Sequence, residues 1–536
     1  MVFKYPDLAP QMLAKQAEKN GGGTLLQHVD GSTLKFEEAY TDALRWADAL
    51  EQLGAEPGQP VVTIFSNSFN AYRSWLGCGW LGAIESPINT NYKGDWLTHV
   101  INNTEAKIIL TEARYAQAVF EIADRLPHIK QCVVFDTGEM AYQEASDSLP
   151  FNVLPAAAFL SNASARERNE PEPWDLSSLI YTSGTTGRSK AVMVPWRHLK
   201  SALQSGYFPR DRLDDLSLYC PYPVFHITGK GGYYNATIFG NPSVIREAFS
   251  PTDFWNDIKT YQPNGLVLLG PLAQMILDQP AQPDDAENPI QTLVMAPVIP
   301  DVDAFCARFD LDVFTTFNMT EINCPVISAP SPCTGENYKS CGKVRDDVEV
   351  RIVDDNDIEV PANTPGEMIV RGEPWELNAG YWNMPEKTVE AWRNGWFHTG
   401  DAFTYDEDGN FYFVDRAKDY IRRRGENISS FEVEAIVNQY PDIAESAAAA
   451  VPADQGEDEV KVAVVLNPSV EFDPAQLIEF LAPRMPRFAI PRFVEIWEEL
   501  PKTEATARIQ KAKIRDAGVS ESTWDRHAAG IKLPRS

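Results

Sequence analysis

The strongest constraint this chain places on its own fold is an alternation, over its first third, of helical-period segments with short apolar runs. Phe36, Ala39, Tyr40, Ala43, Trp46, Ala47 and Leu50 recur at the spacing of one helix face, and Gly54 follows as a stop. Residues 61–65 then read as a buried strand, 70–83 as a helix rich in Trp and Leu, and 108–110 and 132–135 as further short strands. Apolar strands alternating with helices imply a parallel sheet with crossover helices, so the expected fold class is α/β. Residues 150–173, rich in Pro and Asn, read as a connection, and 179–181 as the next strand.

Beyond residue 348 the pattern shortens to strands with turns, at 349–353 and 367–370, with a strong turn at Asp406-Glu407-Asp408-Gly409. After Asp415 it becomes a compact α+β pattern: a helix at 430–440, a strand at 460–466 and a helix at 474–481. The expected organisation is a large region over 1–415 and a smaller domain over 416–536, the boundary falling at 415–418. The acidic run 454–459 reads as a solvated loop.

Composition removes several classes of partner. The 536 residues carry 47 Lys and Arg against 76 Asp and Glu, a net charge of −29, so no basic face for nucleic acid is expected. An anionic ligand would have to be held by a local cluster of donors. The seven cysteines, an odd number without C-x-x-C, point to a reducing compartment and thiols used as small core residues. The N-terminus shows no apolar signal region, and the uncharged stretch 74–84 is far short of the ~20 residues of a membrane span. The expected location is the cytoplasm. His198, His398 and the cysteines lack metal-ligand spacing, which argues against zinc. Oligomeric state is left open, a homodimer being one option.

The sharpest chemical feature directly follows the strand at 179–181: Thr182, Ser183, Gly184, Thr185, Thr186, Gly187, Arg188, Ser189 and Lys190. Glycines let a backbone approach a ligand, hydroxyls donate, and two cations add charge, which together suit a phosphate cradle. The run does not match G-x-x-x-x-G-K-[ST], so a Walker-type NTPase is disfavoured. Further segments follow in order: Tyr222-Pro223-Val224-Phe225-His226, Thr316-Phe317-Asn318-Met319-Thr320-Glu321, Ser340-Cys341-Gly342-Lys343-Val344 and Gly395-Trp396-Phe397-His398-Thr399-Gly400-Asp401. Then come Asp415-Arg416-Ala417-Lys418-Asp419-Tyr420-Ile421, Gly425-Glu426-Asn427-Ile428 and Glu432-Val433-Glu434.

In this order, from about residue 34 to 513, the segments resemble the adenylate-forming superfamily of acyl-CoA synthetases, peptide-synthetase adenylation domains and luciferases. The 317–321 and 422–429 segments resemble most the carnitine- and crotonobetaine-CoA ligase-like branch. The resemblance implies stacked mixed sheets with helices over 1–415 and a mobile α+β domain over 416–536, with a hinge near Lys418. It implies activation of a small carboxylic acid by ATP, with Mg²⁺, to an acyl-adenylate, then transfer to coenzyme A. An anion attacking a polyanion needs charge neutralisation and alignment more than a general base.

By the same resemblance Thr182, Ser183, Gly184, Thr185, Thr186, Gly187 and Lys190 hold the departing phosphates. Thr320 contacts the α-phosphate, Glu321 binds Mg²⁺, and Phe317 stacks on adenine where the family more often has Tyr, with Asn318 beside it. Asp401 accepts from the ribose hydroxyls, Arg416 contacts the ribose, and the Gly425 loop serves the thioester step. Phe225, His226, Val294, Met295 and Ala296 line the acyl pocket. His226 read from the residues alone is as readily a satisfied core histidine. Arg422-Arg423-Arg424 reads as a solvated basic patch, or as a contact for coenzyme A phosphates.

Two departures stand out. The family's last motif ends in a lysine that supports adenylation, whereas this chain reads Pro501-Lys502-Thr503-Glu504-Ala505-Thr506-Ala507-Arg508-Ile509-Gln510-Lys511, with one extra residue and Arg508 at the expected lysine. A planar guanidinium does not place its charge as an ammonium does, so Lys511 or Lys513 are alternatives. Val294-Met295 stand where the family often has two glycines. An amine or carrier-protein acceptor, and a non-catalytic nucleotide-binding module, remain alternative readings.

Overall fold

The computed structural model describes residues 8–135, 149–182, 189–204, 208, 215–354, 356–364, 366–416, 420–423, 426–452, 458–501, 509 and 511–533. The chain divides into two compact units. The first comprises Met1–Thr90, Ile101–Tyr181 and Ala191–Asp415; the second comprises Asn91–Val100, Thr182–Lys190 and Arg416–Ser536.

The expected alternation becomes a seven-stranded sheet in the order Asn152–Pro155, Gln131–Phe135, Ile108–Glu112, Pro60–Ile64, Ile84–Pro87, Leu176–Thr182, Lys190–Pro195. Its pairs from Asn152–Pro155 across to Leu176–Thr182 are parallel. The helix Phe36–Gln52 buries Phe36, Ala39, Ala43, Trp46, Ala47 and Leu50, and Glu37 and Glu38 in its first turn suit the positive end of the dipole. The helix Phe69–Leu81 starts where the Ser68 side chain accepts from the Ala71 N–H, and it ends at Gly82 in the left-handed region. Residues 150–173, expected to be only a connection, contain the strand Asn152–Pro155 and the helix Ala156–Leu160. Tertiary burial explains the difference: Phe159 packs edge-on against Trp46, which stacks on Phe135 at 4.9 Å.

A second seven-stranded sheet runs Val313–Phe314, Thr292–Met295, Gly265–Leu268, Leu218–Cys220, Ser243–Ile245, Thr24–His28, Thr33–Lys35. The third sheet of this unit runs in the order Thr316–Met319, Asn323–Ile327, Ser340–Val344, Phe411–Arg416, Trp396–Tyr405, Gly366–Gly372, Val348–Val353, and its pairs from Thr316–Met319 to Phe411–Arg416 and from Trp396–Tyr405 to Val348–Val353 are antiparallel. The short strand Trp392–Arg393 pairs with Trp396–Tyr405. The turn at Asp406 forms as expected, with Gly409 at φ +78° and the Asp406 carboxylate accepting from the Asn410 and Asp408 N–H groups.

The second unit holds a four-stranded sheet, Ile443–Pro452, Asp458–Leu466, Phe493–Ile496, Trp524–Asp525, and a hairpin of Tyr420–Arg423 with Glu426–Ser429. Helices Ser430–Val437 and Pro474–Leu481 supply core residues such as Val433, Leu477 and Ile478. Trp96 joins this core and meets Phe488 edge-on at 6.4 Å, which is why Asn91–Val100 groups here.

Two surface readings are corrected in this unit. Arg423, expected in a solvated patch or on coenzyme A phosphates, is buried: it pairs with Glu459 at 2.8 Å and donates to the Phe488 carbonyl at 2.8 Å. Glu459, expected in a solvated acidic loop, is its buried counter-ion. All seven cysteines are free thiols, five of them buried, as expected of small core residues. No helix among the described residues is long and apolar enough to cross a membrane.

Candidate active site

In the first unit the turn between the antiparallel strands Thr316–Met319 and Asn323–Ile327 presents Thr320, half-buried, and Glu321, buried. Asn323 takes φ +64° to close it, a conformation Asn tolerates better than most residues. The turn is braced from a neighbouring segment. The Asn378 backbone N–H and side-chain amide both donate to the Glu321 carbonyl, at 3.1 and 2.9 Å. Tyr381 donates its hydroxyl to Glu321 Oε1 at 3.1 Å, and Asn323 donates its amide to the Glu376 carbonyl.

His198, fully buried on the helix Trp196–Gln204, sits between two carbonyls: Nε2 is 2.8 Å from Thr320 O and Nδ1 is 3.0 Å from Glu376 O. Burial lowers its pKa to about 4, so the ring is neutral at pH 7 and its single N–H donates to one carbonyl at a time.

Phe317, on the strand leading into the turn, lies edge-to-face with Phe403 at 4.7 Å and roughly parallel to the exposed Phe413 at 6.5 Å. Asn318 is exposed beside it. Asp401, buried, lies on the strand Trp396–Tyr405 two residues before Phe403. One sheet therefore carries an aromatic ring, a hydroxyl and two buried carboxylates, of Glu321 and Asp401.

His226 is half-buried, its ring 4.7 Å from that of Phe225. Val294 and Met295 are fully buried in core clusters, Met295 with Ile299, Phe305 and Val313, whereas Ala296 is half-buried. The helix Lys230–Phe239 begins just beyond His226, and Lys230 is buried in an ion pair with Glu85 at 2.5 Å. Ser178 and Thr63 also donate to Glu85, and the Lys230 ammonium lies 5.1 Å from the Trp75 ring centroid.

Of the glycine-rich loop, Thr182, Ser189 and Lys190 are described; Ser183, Gly184, Thr185, Thr186, Gly187 and Arg188 lie outside the described residues, as do Lys418, Gly425 and Arg508. Arg416 is described as the end of a strand only. Within the second unit the Ser189 N–H and hydroxyl both donate to Glu432 Oε1, at 2.5 and 2.8 Å. Lys511 pairs with Glu434 at 2.7 Å and donates to the Ser430 hydroxyl, so this alternative to Arg508 has a structural task. Lys513 is exposed.

Sequence reasoning missed the bracing residues His198, Asn378 and Tyr381. They carry no motif of their own, and their partners lie from 57 to 178 positions away in sequence.

The AMP-binding enzyme family matches residues 13–382, and the AMP-binding enzyme C-terminal domain matches residues 432–506. A crotonobetaine/carnitine–CoA ligase of Salmonella paratyphi A is 29% identical over 522 residues, covering 94% of this chain and 98% of that one. One of Citrobacter koseri is 27% identical over 526 residues, with the same coverage. Among solved structures, the amide bond synthetase McbA from Marinactinospora thermotolerans superposes with TM-score 0.79 at 21% identity, covering 95% of this chain and 99% of that one. The anthranilate CoA ligase AuaEII in complex with anthranoyl-AMP gives TM-score 0.70 at 22% identity, covering 98% and 99%. The chain belongs to the AMP-binding enzyme family and is a ligase of the adenylate-forming, acyl-CoA synthetase type.

Proposed function

We propose that this protein joins a small carboxylic acid to coenzyme A in two steps. The substrate carboxylate attacks the α-phosphorus of ATP, forming an acyl-adenylate and releasing pyrophosphate. The thiolate of coenzyme A then attacks the acyl carbon, forming the thioester and releasing AMP, with the thiol proton lost to solvent. The observation that carries this reading is the placement of Phe317, Thr320, Glu321 and Asp401 on one braced sheet: a flat ring for a base, a carboxylate for ribose hydroxyls, and a hydroxyl beside a second carboxylate for a phosphate.

In this reading Phe317 stacks on adenine, with Asn318 at its rim, and loses only a hydroxyl relative to Tyr. Asp401 accepts from the ribose, and Arg416 contacts it. Thr182, Ser183, Gly184, Thr185, Thr186, Gly187 and Lys190 hold the departing phosphates, and Thr320 donates to the α-phosphate. Arg508 supplies the cation that spans carboxylate and phosphate during adenylation. Residues 416–536 act as a mobile domain hinged near Lys418, and the Gly425 loop serves the thioester step. The acyl group lies against Phe225, His226 and Ala296, with Val294 and Met295 as the layer behind.

The donor set suits Mg²⁺. Among the described residues no group of three or more His, Cys, Asp or Glu could hold a metal ion by itself, while Glu321 offers one carboxylate held in place by Tyr381. A single protein carboxylate completed by substrate phosphates is a normal magnesium arrangement. When bound, the ion would neutralise phosphate charge; the contribution of the chain itself is to hold Glu321 and Thr320 in fixed positions.

The test is ATP–pyrophosphate exchange over a panel of small carboxylic acids, the crotonobetaine and carnitine named for the relatives among them, followed by product analysis with coenzyme A. The expected products are acyl-CoA, AMP and pyrophosphate. ADP and inorganic phosphate would overturn adenylation, and adenylate formation without thioester would move the acceptor to an amine or a carrier-protein thiol.

A further inference from the structure

The strand that carries Asp401 is not regular. Glu367 pairs with Ala402 and Ile369 with His398 across the antiparallel ladder, so Met368 alone faces Thr399, Gly400 and Asp401. Two extra residues on one strand form a bulge of the larger, special kind, and bulges re-aim side chains. Gly400, at φ +70°, supplies the left-handed backbone the bulge needs.

A bulge lifts backbone groups out of the ladder, and here side chains take up that work. Glu367 Oε1 accepts from the Gly400 N–H at 2.9 Å. Thr399 accepts from the Asp401 N–H at 3.1 Å and donates to the Met368 carbonyl at 2.7 Å. Glu367 is itself backed by charge: its Oε2 lies 2.9 Å from Nδ1 of the buried His398 and 3.6 Å from Arg393 Nη2. Arg393 Nη2 is 2.7 Å from the same ring nitrogen, and Asp357 lies 3.8 Å from Nε2 on the other side. Charged acceptors make the stronger hydrogen bonds, so the Gly400 contact fixes the bulge more firmly than a neutral one would.

We propose that Glu367 and Thr399 are positioning residues for nucleotide recognition: they set the bulge that aims the Asp401 carboxylate at the ribose hydroxyls, and so set selectivity for a ribonucleotide. The proposal rests on the reading of Asp401 as the ribose acceptor. A carboxylate held rigidly discriminates a hydroxyl from a hydrogen because it cannot move to make up the hydrogen bond it loses. One held loosely can turn to water and discriminates less.

The experiment compares ATP with 2′,3′-dideoxy-ATP in pyrophosphate exchange, using the full-length wild type, Glu367→Leu, Thr399→Val and the conservative Glu367→Gln. Wild type is expected to favour ATP in kcat/KM by at least about 10–100-fold, the range of one charged hydrogen bond. Glu367→Leu and Thr399→Val are expected to compress that preference to within about threefold by raising the KM for ATP, with the KM for the acid unchanged. Glu367→Gln, which keeps an acceptor for the Gly400 N–H, is expected to retain most of it. A role confined to stability would lower activity with both nucleotides alike and leave the ratio intact, which would overturn the proposal. Thr399→Val keeps the side-chain shape and carries the test by itself should Glu367→Leu fail to fold. An active wild type that does not distinguish the two nucleotides would remove the ribose role of Asp401 and the proposal with it. A wild type inactive with every acid would instead count against the proposed function.

Discussion

Replacing Lys230 by Met should destabilise the first unit strongly, in a way that depends on pH. Lys230 and Glu85 are each about 1% exposed, and among the described residues their carboxylate–ammonium contact is supplemented by Ser178 and Thr63 at 3.2 and 3.4 Å. Burial raises the Glu85 pKa, and Lys230 is the main influence pulling it back down. Removing the ammonium leaves a buried carboxylate with two weak hydroxyl donors, and breaking a buried pair from one side costs about 3–5 kcal/mol. With an unfolding entropy of roughly 2.1 cal/mol/K per residue over about 400 residues, that is a fall of about 4–6 °C in Tm.

The sign with pH follows from proton binding. In the variant the native state holds a proton on Glu85 that the unfolded state releases, so stability falls as pH rises from the unfolded carboxylate value through the raised native one. The loss should therefore be smaller at pH 5 than at pH 8. Glu85→Gln added to Lys230→Met removes the orphaned charge and should recover most of the loss at both pH values. Differential scanning calorimetry of the two variants at pH 5 and 8 provides the measurement. A deficit equal at both pH values, or one the second substitution fails to relieve, would refute the argument that an uncompensated Glu85 charge is the cause. Ser178 lies on the strand that ends at Thr182, and Lys230 begins the helix beyond His226, so the same variant should also raise the KM for ATP and for the acid.

Further outcomes are expected at four residues. His198 is neutral in the fold with a pKa of about 4, so thermal stability should decline as pH falls from about 6.5 towards 4, and His198→Gln should flatten that limb of a Tm–pH curve. Arg423→Ala should cost the second unit about 3–5 kcal/mol by stranding Glu459, measured by urea unfolding, and should leave the KM for coenzyme A within about threefold once folded protein is counted. Arg508→Ala should slow acyl-adenylate formation by about 10²–10³-fold while sparing thioester formation from supplied acyl-adenylate. Lys511→Ala should instead lower Tm through Glu434, and the reverse pattern would show that the adenylation cation is Lys511.

Local pattern carried much of the fold. The helix expected over 36–50 forms at Phe36–Gln52, and the segment expected over 474–481 forms at Pro474–Leu481. Both have an apolar stripe of helical period that specifies which face is buried, whatever lies against it. The strand and helix inside 150–173 were illegible, because Pro-rich polar sequence hides an edge strand until a neighbour supplies the ladder. Arg423 shows the same limit for charge. Three consecutive arginines read as a solvated patch, and only folding reveals that the middle one faces Glu459 and two carbonyls.

For the candidate site, the chemistry on offer was legible in the chain before folding: the hydroxyl-rich loop at 182–190, the Phe317 to Glu321 turn, and Asp401 at the end of its own motif. These follow from residue type and order along the chain, which are local properties. Tertiary structure alone decided what holds those groups in place. Tyr381 reaches Glu321 across 60 residues, His198 reaches Thr320 across 122, and Glu367 reaches the Gly400 N–H across 33. A hydrogen bond depends on distances of about 3 Å between atoms and not on separation along the chain. The residues that aim a catalytic group therefore carry no signature until the sheets bring them together.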